Sequence, residues 1–331
     1  MTRPCQPAVL LVVALHAGGC RSPEPASGTG PESLRHVTVG LPVAAATFLP
    51  LYVGEEAGLF REEGLEVEFL AFRGGSDLVR AVVAGSIDVG VTALAGVTVG
   101  IAAGQPLRAF FAGYNIPAFA WYAVDGIASM DDVRGKRLGV TRYGSSTDFL
   151  TRYALVSRGI APDRDVQIVQ GGDSPTRLAA MAAGQLDVNI FNPPETYVAE
   201  ERGYHRILSQ RDLADDYPFH VFFATEQAIA GQADLIRALL RAHVRAVRLA
   251  RSDRALALDV LARRAGVSAE HAGRAYDEFM PYVFEDGRLP SRAGLDLFFD
   301  MGIEAGQFTE RWPLDRFWTP VFVDSFDEWR P

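Results

Sequence analysis

Ala81-Val-Val-Ala-Gly-Ser-Ile-Asp-Val89 returns 99 residues later as Ala180-Met-Ala-Ala-Gly-Gln-Leu-Asp-Val188. The offset holds without a gap on either side. Gly40 falls on Gly139, Leu51 on Leu150 and Val67 on Val166, while Val39, Phe69 and Val91 match Leu138, Ile168 and Ile190 in kind. Within the first copy, His36–Leu41, Leu65–Leu70 and Ile87–Val91 read as strands, and Leu49–Phe60, Asp77–Ala84 and Ala93–Ala103 as helices. That alternation predicts a parallel sheet covered by helices. Two copies predict two α/β lobes of similar construction. Gly85 and Gly184 fit the left-handed cap that ends a helix. Asp88 and Asp187 are read as structural, holding the turn or opening the next strand.

Outward from the repeat, Ala118–Val124 leaves the first lobe and Phe219–Ala224 leaves the second, both apolar enough to be strands. The chain then reads as helix over Ala233–Ser252, Arg254–Ala265, Ser268–Pro281 and Ser291–Ala305. Two crossings return this tail to the first lobe. The expected division is therefore 36–123 plus 222–331 for lobe I and 124–221 for lobe II, with two strands as a hinge.

Composition sets the outer limits. The 331 residues amount to roughly two domains at ~150 residues each. With 48% apolar and 22% charged residues, the chain can bury a large core and is not a disordered polymer. Its 32 Lys and Arg against 41 Asp and Glu leave a net charge of −9, a poor balance for gripping nucleic acid. No apolar run approaches the ~20 residues of a membrane-spanning helix. The short apolar core Ala8–Leu15, the cationic Arg3 and the small residues Ala17-Gly18-Gly19 read as an export signal over 1–19. The residues ahead of Cys20 resemble a bacterial lipobox, in which that cysteine is acylated; a plain signal cut nearby is the other reading. Residues 20–35, rich in Pro, Ser and Gly, read as a flexible tether. With Cys5 lost alongside the signal, one cysteine remains, too few for an intrachain disulfide or a thiolate metal site.

In open α/β sheets, ligands bind outside the carboxyl ends of the strands. The loops that follow the strands supply Thr47 and Phe48, then Gly74-Gly75-Ser76-Asp77, then Thr92; in the other lobe, Arg142 to Asp148, Gly172-Asp173-Ser174, and Asn192 to Glu195. Thr47 and Ser146 are repeat mates, which sets two hydroxyls face to face across a cleft. Gly144-Ser145-Ser146-Thr147 opens a helix, where free N–H groups, hydroxyls and the positive end of the dipole suit an anion or a polarised carbonyl; simple helix capping is the competing role. Ser76 has the same two readings. Arg73 and Arg142 are candidates to balance an anionic ligand, and Phe48, Tyr114, Tyr143 and Phe191 to wall an organic one. No Gly-x-Ser-x-Gly, His-Glu-x-x-His or phosphate-binding Gly-x-x-x-x-Gly-Lys occurs, and His220 is read as a packed histidine. No catalytic residue, metal or cofactor is expected.

Phe48-Leu-Pro-Leu-Tyr-Val-Gly-Glu-Glu-Ala-Gly-Leu-Phe60 with Glu63-Gly-Leu-Glu-Val67, Ala84-Gly-Ser-Ile-Asp-Val-Gly90, Asp132-Val-Arg-Gly-Lys-Arg-Leu-Gly-Val140, Gly184-Gln-Leu-Asp187 and Pro194-Glu195 resemble one group of binding proteins. These are the aliphatic-sulfonate, taurine, nitrate and thiamine-pyrimidine-precursor binding proteins of ABC importers. The resemblance covers about 36–250. It implies the two-lobed periplasmic-binding-protein fold of type II and cleft positions Phe48, Ser76, Thr92, Ser145, Ser146, Thr147 and Asn192. It also implies a protein that traps a small sulfonate, taurine, nitrate-like anion or pyrimidine precursor and delivers it to a permease; with the Cys20 reading, the expectation is a lipid-anchored monomer outside the cytoplasm. Glu62/Glu63 and Glu200/Glu201 are read as solvated surface or as permease contacts. The alternatives are a thiamine-pyrimidine-synthase-like enzyme on the same fold and a tethered sensory or scavenging module.

Overall fold

The 99-residue offset reappears as geometry in the computed structural model, which describes residues 33–43, 45–116 and 118–331. The expected export signal, Cys20 and nearly all of the tether lie outside the described residues. Among those described, ten strands form: β1 (Arg35–Leu41), β2 (Leu65–Ala71), β3 (Val89–Ala93), β4 (Leu107–Tyr114), β5 (Ala120–Ala123), β6 (Arg137–Val140), β7 (Gln167–Gln170), β8 (Val188–Phe191), β9 (His205–Ser209) and β10 (His220–Thr225). They make two five-stranded sheets, β2-β1-β3-β10-β4 and β7-β6-β8-β5-β9. β1 pairs in parallel with β2 and β3, and β6 with β7 and β8, because each connection passes through a helix on the sheet face. The helices Gly75–Val83 and Ser174–Ala182 are themselves repeat mates.

Each sheet also takes one antiparallel strand from the far side of a crossing: β5 lies between β8 and β9, and β10 between β3 and β4. This is the two-lobed arrangement that the repeat predicts, and Leu34–Pro331 form one compact unit. The lobe boundaries need correction by a few residues. Ala120–Ala123 pair wholly within the second sheet, and His220 and Val221 already pair in the first. The crossing segments are thus the stretches between β4 and β5 and between β9 and β10. The apolar runs read as crossing strands end up inside the sheets because their backbone groups need partners on both sides.

The repeat's conserved-in-kind positions have physical reasons. Asp88 accepts hydrogen bonds from Thr38 N at 2.8 Å and Thr38 Oγ1 at 2.7 Å; its mate Asp187 accepts from Arg137 N at 2.8 Å and Arg137 Nε at 2.9 Å. Thr38 and Arg137 are mates too, so each aspartate ties the turn before one strand to the start of the neighbouring one. Gly85 and Gly184 adopt φ +72° and +66°, as helix-ending glycines do.

The tail helices Ala233–Ser252, Arg254–Ala265, Ala269–Phe279 and Arg292–Glu304 form close to their expected bounds. The first three pack on lobe I, where Arg241 Nε reaches Glu63 at 2.8 Å. The expectation that the whole tail belongs to lobe I is wrong for the fourth. Arg292–Glu304 packs on the lobe II helix Ser146–Val156, with Phe298 stacked on Phe149 at 5.4 Å and Phe308 beside both rings. The chain then returns to β4, where Ala109 N donates to Phe317 O and Thr319 N to Ala109 O, each at 2.9 Å. Apolar rings on that helix need a covering surface, and the nearest one belongs to the other lobe.

Candidate functional site

The carboxyl ends of both sheets face one another and line a cavity of about 40 Å³, room for a few waters at ~10–15 Å³ each. Lobe I contributes the loop after β1 (Ala45, Thr47, Phe48), the Gly74-Gly75 start of the helix after β2, and Thr92 at the end of β3. Lobe II contributes Thr141 and Ser145–Thr147 after β6, Ser174 and Arg177 after β7, and Asn192 after β8. Phe119 and Phe219, one from each crossing segment, meet edge to face at 5.2 Å and close the hinge side.

Of the thirteen residues offered as candidates, Thr47, Phe48, Thr92, Ser145, Ser146, Thr147 and Asn192 line this cavity. Six do not: Arg73, Tyr143 and Phe191 are absent from its lining, as are the next three. Ser76 lies one residue beyond the lining Gly75, its Oγ buried without a partner among the described residues. Tyr114 lines a separate cavity of about 20 Å³ that Thr47, Phe48 and His220 also border. Arg142 turns away to the rim, where its Nε donates to Asp77 Oδ2 at 3.0 Å across the mouth. A carboxylate from the opposite lobe therefore satisfies the arginine expected to balance a ligand. Glu62 and Glu63 pair with Arg245 and Arg241, and Glu200 and Glu201 face Arg274 and His271, so all four meet partners within the chain.

The hydroxyls after β6 form a closed triangle. Thr141 Oγ1, Ser145 Oγ and Thr147 Oγ1 lie 2.8–2.9 Å from one another, and Thr147 Oγ1 accepts from Thr141 N at 2.9 Å. Ser145 is the N-cap of Ser146–Val156. Capping and cavity lining thus fall to the same turn, and the starts of three helices, Gly75–Val83, Ser146–Val156 and Ser174–Ala182, open on the cavity. Their dipoles make its centre favourable to negative charge.

Arg177 supplies a full positive charge that the sequence reading missed. It is 2% exposed. Its Nε donates to Gly172 O at 3.1 Å, Nη1 to Ile190 O, and Nη2 to Ser174 Oγ at 3.3 Å, while the guanidinium lies 5.0 Å over the Phe191 ring. Among the described residues no carboxylate reaches it at ion-pair distance. Burial pulls it down to about 10, with Glu195 and Asp173 opposing. Glu195 Oε2 is buried without a partner among the described residues, and burial pushes that carboxyl up to about 7, partly offset by its backbone hydrogen bond and by Arg177. A signal for Arg177 was present: its repeat mate is Leu78, a fully buried core residue, so a cation stands where the pattern calls for an aliphatic side chain.

His220 was read as packed, and it is: its ring stacks on Phe48 at 4.4 Å and on Phe219 at 4.2 Å. It also lines the cavity. Burial lowers its pKa to about 3, which keeps it neutral.

Comparison with known proteins gives the following. The profile of the family described as NMT1/THI5-like matches residues 45–255. A protein of Brucella abortus, named as a candidate binding protein, is 28% identical over 193 residues, covering 57% of this chain and 58% of that one; the match thus spans less than two thirds of the relative. The 4-amino-5-hydroxymethyl-2-methylpyrimidine phosphate synthase of Schizosaccharomyces pombe is 29% identical over 93 residues, 28% of this chain and 27% of that one. Among solved structures, a protein of Bordetella bronchiseptica RB50 superposes with a TM-score of 0.77 at 22% identity, covering 89% of this chain and 98% of that one. The alkanesulfonate-binding protein SsuA of Xanthomonas axonopodis pv. citri, bound to MOPS, gives 0.65 at 20% identity over 80% and 93%. The periplasmic nitrate-binding protein NrtA of Synechocystis PCC 6803 gives 0.69 at 17% over 88% and 86%. The fold is that of the periplasmic binding proteins.

Proposed function

Given that the chain belongs to the NMT1/THI5-like family, we propose that it is an extracytoplasmic solute-binding protein of an ABC importer, trapping a small organic solute between its lobes for delivery to a permease. The observation that carries this reading is the cavity between the lobes itself. A buried cation without an ion-pair partner among the described residues, a cluster of hydroxyls and three helix N-termini converge there from two lobes that the crossings and the tail connect. Such a centre suits a solute with a carboxylate, sulfonate or similar acidic group, and the rings of Phe48, Phe119 and Phe219 suit its carbon skeleton. Thr47, Phe48, Thr92, Ser145–Thr147 and Asn192, together with Ser174 and Arg177, are the proposed contacts. Binding would favour closed lobes by contacting both at once, and acylation of Cys20 would hold the body near the membrane through its tether.

The hydroxyls favour binding over catalysis. They bond to one another, and burial lowers the His220 pKa to about 3, which makes it a poor base for activating a nucleophile. The test is to purify the protein from its native source, denature it and identify the released solute by mass spectrometry, followed by calorimetry with that solute. One tight, stoichiometric ligand is expected. A folded protein that carries and binds no solute overturns the reading.

A further inference from the structure

A second cavity, of about 190 Å³, lies beside the first crossing, and Phe119 of that crossing lines both cavities. Its floor is the edge of the second sheet, where Tyr122 of β5 and Arg206 of β9 are cross-strand partners and so stand on one face. The lobe II helix Glu195–Glu201 supplies one wall through Tyr197 and Glu200. The tail helix Ala269–Phe279 supplies the other through Arg274 and Glu278. That helix packs on Ala46–Phe48 and on Arg254–Ala265, both on the lobe I side. The cavity is therefore bounded by lobe II and by a part of the tail that lobe I carries.

The charges that line it do not cancel. Arg206, Arg211 and Arg274 stand against Glu200 and Glu278, a local surplus of one positive charge on a chain whose net charge is −9. Both glutamates are satisfied within the chain. Glu200 accepts from Tyr122 OH at 2.8 Å and from Arg274 Nη2 at 3.4 Å. Glu278 accepts from Tyr197 OH at 2.7 Å and faces Arg211 at 3.8 Å. These contacts use Arg211 and Arg274 and leave Arg206, exposed on its strand, with no carboxylate at ion-pair distance among the described residues. Arg274 lies flat over the Tyr197 ring at 3.9 Å and spends one of its five N–H groups on Glu200. Ser209 Oγ accepts from Arg211 N at 3.2 Å, which leaves its own proton to donate. Both tyrosine hydroxyls are already spent on carboxylates, so the donors left over belong to the arginines and Ser209.

We propose that this cavity is a second binding site, for the phosphate or carboxylate group of a small anion, held between Arg206 and Ser209 of lobe II and Arg274 of the tail. Such a group neutralises the surplus charge and accepts from donors that the chain leaves unused. The site lies outside the cavity between the carboxyl ends, so it goes beyond the solute-binding reading and stands without it. An anion that contacts both sides at once favours the lobe arrangement in which those contacts are made. The arginines are partly in water, so the affinity falls as salt is added.

The experiment is calorimetry of the purified protein at low salt, with inorganic phosphate and succinate titrated separately. One saturable event per chain is expected with at least one of them, and the tighter of the two tells whether a phosphate or a carboxylate is the group recognised. Arg206→Gln removes an exposed side chain without an ion-pair partner, so the anion-free urea midpoint should not move. The same variant should weaken the binding event by about tenfold or more. Arg274→Gln should weaken it comparably, because the anion bridges lobe II and the tail. As a second readout, phosphate should raise the urea midpoint of the wild type more than that of Arg206→Gln. Binding of neither probe overturns the proposal. So does binding that Arg206→Gln leaves within about twofold, which would put the anion beside Arg177 instead. A loss in Arg206→Gln without one in Arg274→Gln overturns the bridging, since lobe II would then hold the anion by itself.

Discussion

Arg177 and Glu195 are the two residues whose charge states the fold has to manage. Arg177 completes the hydrogen bonding of the Gly172 and Ile190 carbonyls. Arg177→Met fills a similar volume, orphans both carbonyls, and is expected to cost about 1–3 kcal/mol of stability. Urea denaturation checks that cost, and calorimetry should show the bound solute lost. Glu195 has the opposite problem. Its folded-state pKa is raised from 4.5 to about 7 by burial, so the folded state binds the proton more tightly than the unfolded chain does. Its stabilising contribution is complete below about pH 4.5 and is lost as pH rises through about 7. Stability should fall across that window by up to about 3 kcal/mol, and Glu195→Gln should flatten the slope. Urea titrations at pH 5 and pH 8 read the difference. Neither residue was singled out as a site residue from sequence, Glu195 entering only as part of a motif, because a titrating side chain declares itself through what buries it. Even so, the Leu78 to Arg177 mismatch was visible in the repeat.

Repeat-matched elements show which identities are structural. A Cβ on Gly40 would lie 2.2 Å from Leu78 Cδ1, and one on Gly139 would lie 2.0 Å from Asn189 Oδ1, so a methyl group on β1 or β6, the strand beside the central one in each lobe, would displace a neighbouring side chain. Gly40→Ala should cost about 1–3 kcal/mol by overpacking. The aspartates that follow the helices tie strands together, and Asp187 holds Arg137 by backbone N, Nε and Nη2 at 2.8–2.9 Å. Asp187→Ala is expected to destabilise by about 2 kcal/mol, since these are charge-assisted bonds; a shift in the urea midpoint with unchanged slope would show it. Strands with a polar face were legible from alternation, as β2 was. β4 escaped, because Leu107-Arg-Ala-Phe-Phe-Ala-Gly-Tyr114 is buried almost throughout, and a strand covered on both faces has no period of two to read.

The two lobes are also linked by contacts that no single lobe contains. Tyr197 of lobe II donates to Glu278 of the tail at 2.7 Å, and Arg274 of the tail lies 3.9 Å over the Tyr197 ring and 3.4 Å from Glu200. The Asp77–Arg142 pair closes the rim between Gly75–Val83 and the turn after β6. These charges are partly exposed, so each pair contributes only about 0–1 kcal/mol, but all of them oppose opening. Tyr197→Phe combined with Arg274→Ala should move the solute-free protein toward open lobes, seen as a larger radius of gyration in X-ray scattering; an unchanged radius would show that the latch does not set the equilibrium. From sequence alone came the two matched α/β lobes, the tail helices, the loops that face the cleft and seven of its lining residues. Those features follow from periodicity and turn chemistry, which act between near neighbours in the chain and are written twice here. Tertiary structure alone decided that Arg142 serves the rim while Arg177 serves the cavity, that His220 is stacked between two rings at the cavity wall, and that the last long helix rides on the second lobe. Each of these depends on partners far apart along the chain, and burial, which shifts pKa values and leaves polar atoms unpaired, exists only once those partners have met.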